Sequence, residues 1–69
     1  MNLIPGKFYI RYYGNNWEIH QCVGYNVMLL LSSDKWYEAT CKGKKFPNNS
    51  NNWIEISEEK IMELKAELL

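Results

Sequence analysis

The sequence predicts a small α+β domain, mainly β: an antiparallel sheet of about five strands followed by one C-terminal helix. Three observations carry this reading. Two runs of alternating apolar and polar residues, 7–13 and 17–23, flank Gly14-Asn15-Asn16, the pattern of a β-hairpin. A short apolar run, Val27 to Leu31, follows a second turn signal, Gly24-Tyr25-Asn26. Near the end, Ser57 precedes two acids and an apolar stripe at helical spacing.

Each element has its own reason. Ile4-Pro5-Gly6 is a turn before the first strand. In strand 7–13, Phe8, Ile10 and Tyr12 share one face; Lys7, Tyr9, Arg11 and Tyr13 share the other. In strand 17–23, Trp17, Ile19 and Val23 oppose Glu18, His20 and Cys22. Phe8, Ile10, Tyr12, Trp17, Ile19, Val23 and Trp53 are therefore expected in the core. Strand 27–31 is apolar on both faces and must be covered twice. Residues 36–41 read as a fourth strand after the loop Ser32-Ser33-Asp34-Lys35, and residues 53–56 as the last. Between them, "KGKKFPNNSNN" (residues 42–52) is polar and rich in breakers, and reads as a long exposed loop. Glu58 and Glu59 favour the start of a helix over 58–69. Ile61, Leu64 and Leu68 form its stripe, widened by Met62 and Leu69. So short a helix must dock, and the second face of strand 27–31 is the expected place.

A chain of 69 residues forms one domain with a marginal core. Cys22 and Cys41 form no CxxC pair and no secretory leader is visible, so both are expected as free thiols in the cytoplasm. With His20 they are the only soft metal ligands, too few and too scattered for a structural zinc site. No cofactor is expected. No apolar run approaches the roughly 20 residues needed to cross a bilayer.

Net charge is zero but unevenly spread: +1 over residues 1–23, +2 over 24–52 and −3 over 53–69. A neutral chain lacks the field of a general nucleic-acid binder, and it also lacks the acidity of a DNA mimic. Its opposed ends favour self-association, so a homodimer or larger oligomer is expected.

Catalysis is poorly supported. His20 is the one ordinary general base near neutrality. Its strand neighbours Glu18 and Cys22 point the same way, but no third group completes a nucleophilic arrangement. No Gly-rich phosphate loop, HExxH or GxSxG occurs. The aromatic surplus is more informative. Tyr9, Arg11 and Tyr13, with Trp36 and Tyr37, offer flat rings beside a cation, which stack on bases or anchor protein interfaces. Lys42, Lys44, Lys45 and Asn49 add donors for an anion. These nine residues are the expected ligand-binding set.

"PGKFYIRYYGNNWEI" followed by a third strand resembles the small SH3-like β-barrel proteins of phages and their bacterial hosts. The shared pieces are the Pro-Gly entry, the aromatic first strand and Trp17-Glu18-Ile19 opening the second. The resemblance spans mainly residues 5–31 and implies a partly open barrel. No functional residue carries over from it. Three roles follow as expectations: a non-enzymatic binder that sequesters a nucleotide-like ligand, similar to phage proteins that soak up immune signals; an inhibitor that binds a host protein, similar to anti-CRISPR proteins; and an SH3-like nucleic-acid module, which the zero net charge disfavours.

Overall fold

The computed structural model describes residues 3–49 and 52–68. Residues 50 and 51 of the expected loop, and residue 69 of the expected helix, lie outside them. The chain forms β1 (Phe8–Tyr13), β2 (Asn16–Val23), β3 (Asn26–Ser32), α1 (Lys35–Cys41), β4 (Lys45–Pro47), β5 (Ile54–Ile56) and α2 (Glu58–Glu67). The five strands make one antiparallel sheet in the order β4-β3-β2-β1-β5. It does not close: β4 and β5 are its edges.

The hairpin forms as its pattern requires. Tyr13 pairs with Asn16, which sets Arg11 opposite Glu18 and Tyr9 opposite His20. The β2–β3 ladder then slips. Ile19 pairs with Leu31 but His20 pairs with Leu29, so Leu30 is the extra residue of a β-bulge. The bulge reverses which face successive residues of β3 occupy. Val27 and Leu29 lie with Cys22 and His20, whereas Leu31 lies with Ile19. This is how the continuous apolar run of β3 serves two cores.

One core holds Ile10, Ile19 and Leu31, with Trp17, Ile56 and the Ile61, Leu64 and Leu68 stripe of α2 packed on it. The other holds Leu3, Tyr9, Cys22, Val27 and Trp53, with Phe46 against it. The sequence-based expectation therefore had the docking of α2 reversed: it covers the Ile10–Ile19 face. The second face is covered by Leu3, Phe46, Trp53 and α1. Both faces of β3 are thus covered within one chain, and the strand itself requires no second subunit. The cap of α2 is as expected, with the Ser57 hydroxyl accepting from Lys60 N at 3.2 Å.

Residues 36–41 are a helix, not the expected strand. Local chemistry decides it. Asp34 Oδ1 accepts from Tyr37 N at 3.1 Å, capping the first turn. Glu38 reaches back to β3, accepting from Ser32 N at 2.9 Å. Gly43 stops the helix at φ 84°, a conformation that side chains disfavour, and donates its N–H to Leu29 O. The chain then enters β4, so the expected loop 42–52 contributes an edge strand beside β3. The sheet keeps five strands because β4 replaces 36–41.

Tyr12, expected in the core, is 61% exposed, and Phe8 is half-buried. Leu29→Ala is expected to cost about 2–5 kcal/mol, and Tyr12→Ala to fall within about 0.5 kcal/mol of wild type. Urea unfolding of the two variants checks this ordering.

Candidate functional site

Tyr9 was expected in the ligand-binding set, and the face it shares with His20 and Cys22 could be covered by the protein's own helix, a second subunit or a ligand. The structure buries all three: Tyr9 and Cys22 in the second core, and His20 completely. Tyr9 is therefore not a ligand-binding residue on this surface. Its hydroxyl accepts from Ile4 N at 2.9 Å, tying down the chain ahead of β1.

On the same face lies a buried polar cluster. Glu18 is 3% exposed. Its Oε1 accepts from Arg11 Nε at 2.5 Å and lies 3.0 Å from His20 Nε2. A carboxylate only accepts, so Nε2 carries the histidine proton on that side. Burial alone would raise the Glu18 carboxyl. The bond from His20 and the charge and bond of Arg11 outweigh burial and hold it below its ordinary value. Arg11 also stacks on Trp53, its guanidinium carbon 4.6 Å from the ring centre. The ring of Trp53 meets His20 edge-on at 4.9 Å, and Phe46 does so at 5.9 Å. Each aromatic thus fixes a polar partner, and the partners fix Glu18.

Above this cluster is an open groove of about 460 Å³, lined by Arg11, Tyr12, Tyr13, Glu18, Asp34, Trp36, Tyr37 and Asn52. Its two sides come from different elements. The hairpin supplies Arg11, Tyr12, Tyr13 and Glu18. The start of α1 and its cap supply Asp34, Trp36 and Tyr37. The junction before α1 is pinned to β2: Ser33 Oγ accepts from Trp17 N at 2.8 Å, and Ser33 N donates to Trp17 O at 3.1 Å. Tyr37 stacks on Phe46 at 6.4 Å. Burial, then the nearby Glu18 charge, pushes the Tyr37 phenol above its ordinary value, so it stays a neutral O–H donor at neutral pH. Trp36 is 74% exposed at the rim.

Of the nine expected binding residues, Arg11, Tyr13, Trp36 and Tyr37 come together here. Lys42, Lys44, Lys45 and Asn49 do not line the groove. They are exposed around β4, where Lys45 pairs with Met28 at the sheet edge opposite β5. That edge is three strand spacings from β1, about 14 Å. Glu18, Asp34 and Tyr12 also line the groove and were not in the expected set. The first had a signal: a tight Gly14-Asn15 turn sets Arg11 opposite Glu18. Asp34 was hidden by the strand reading of 36–41, which concealed its capping role.

No family model, curated protein or solved structure matches this chain. Among the described residues, no group of three or more His, Cys, Asp or Glu side chains is placed to hold a metal ion, and no helix is long and apolar enough to cross a membrane. Cys22 and Cys41 are unpaired.

A depressed carboxyl stabilises the fold above its unfolded value, near pH 4.5, and loses that contribution as pH falls through the folded value. Glu18→Gln is expected to cost about 2–3 kcal/mol at pH 7. That is less than the roughly 3–5 kcal/mol of a fully buried pair, since Arg11 keeps some contact with water. The gap between variant and wild type should shrink as pH falls from 5 to 3. Urea midpoints across that range measure it.

Proposed function

We propose that the protein is a non-enzymatic binding module that holds a nucleotide-like ligand by its base in the groove between the hairpin and α1. The observation that carries this is the groove's rim and floor. Three aromatic residues, Tyr13, Trp36 and Tyr37, line the groove together with one guanidinium, that of Arg11, and Trp36 keeps most of its surface in water. Base–aromatic stacking is worth about 1–3 kcal/mol per base, so two such contacts support useful affinity without a deep pocket. The lining is not built for phosphate. Arg11 is offset by Glu18, and Asp34 adds a further negative charge. Phosphates would point outward from the open groove. No reaction is assigned: His20 is fully buried and does not line the groove.

A second reading is favoured by the same exposed rings. Trp, Tyr and Arg are the residues that dominate protein interfaces, so a partner protein is the alternative occupant. Thermal shift and calorimetry with mono- and cyclic nucleotides separate the two. A ligand at a hundredfold its Kd should add about 2.7 kcal/mol of stability. Trp36→Ala and Tyr13→Ala should abolish that shift while leaving the unliganded midpoint nearly unchanged. No shift with any nucleotide would remove the first reading.

A further inference from the structure

From the donor and acceptor pattern of this groove we infer that it selects guanine among the bases; the inference rests on the base-binding reading above. A stacking platform alone accepts any base, because every base has a π-face. Selection needs polar groups at the ring's edge, and the groove has an unusual pair.

The first is Arg11. Its bond to Glu18 leaves from Nε, so the paired Nη1 and Nη2 groups remain as a fork of donors at the groove it lines. Stacking on Trp53 and the bond to a buried carboxylate hold the guanidinium plane in place. Little freedom is lost when the fork meets a ligand. A planar donor fork matches the O6 and N7 acceptors of guanine. Adenine offers N7 but puts an amino group where O6 would be, which sets donor against donor.

The second is Asp34. Oδ1 is engaged by Tyr37 N, while Oδ2 is not used in the helix cap. A carboxylate accepts only. Guanine carries two donors on adjacent positions, the N1–H and the N2 amino group, and adenine carries none at N1. Cytosine and uracil lack the O6/N7 edge. Arg11 and Asp34 line the same groove, so one edge of guanine meets donors and the other meets an acceptor. The one negative charge left over in the lining is tolerated by a base, whereas a phosphate seated there would be repelled.

Calorimetric titration with GMP, AMP, CMP and UMP tests this on the intact protein, with Trp36→Ala as the stacking control. GMP is expected to bind at least tenfold more tightly than AMP, as one good bidentate contact provides. Asp34→Asn keeps a competent helix cap and should lower GMP affinity about tenfold without a comparable loss for AMP. Equal affinities for the four nucleotides, each lost in the Trp36→Ala variant, would overturn guanine selection and leave the base-binding reading intact. A GMP preference that Asp34→Asn leaves unchanged would also overturn it. No binding of any of the four overturns both.

Discussion

A carboxylate buried on the face of a sheet has to be held, and much of this molecule holds Glu18. Arg11 faces it across the hairpin, His20 lies beside it on the same strand, and Trp53 lies under Arg11 and against His20. An unpaired charge at such depth is far costlier than the pair itself is stabilising. The hairpin register, the return of the chain at Trp53 and the seating of α1 over the face are therefore linked. A slip of one residue in the hairpin would send Arg11 and Glu18 to different environments.

The cluster also shapes the groove. Arg11 is both the partner of a buried acid and part of a solvent-accessible lining. Its inner side is committed, and its outer side is presented. Across from it, α1 has no buried residue of its own. Its place depends on Asp34 and Ser33, on Glu38 accepting from β3 and on Tyr37 stacking against Phe46. One wall is thus rigid and the other is held by a few polar contacts and one ring.

The hairpin, the C-terminal helix and the five-strand antiparallel sheet were legible in the sequence because period-two alternation, turn residues and a serine cap act locally. The identity of the fourth strand was not. "WYEATC" carries aromatic and β-branched residues that suit a strand, and the outcome turned on one Asp34 bond and one Glu38 bond to β3. The bulge at Leu30 was also hidden, since VMLLL reads the same with or without a change of face. The candidate site was half legible. Aromatic surplus around Arg11 marked residues that the fold gathers into one groove, but the lysines of 42–45 were grouped with them by composition, and topology puts them at the far edge. Tyr9, His20 and Cys22 looked unexplained only because the cover of their face, Trp53 with Phe46 and Leu3, comes from distant parts of the chain.

The central claim is that Arg11 and Glu18 act as one unit in the folded state. A double-mutant cycle with Arg11→Met and Glu18→Gln, read by urea unfolding at pH 7, tests it most directly. The structure predicts a coupling energy of about 1 kcal/mol or more, within the range of residues in direct contact. Additive single effects, with a coupling below about 0.3 kcal/mol, would contradict it.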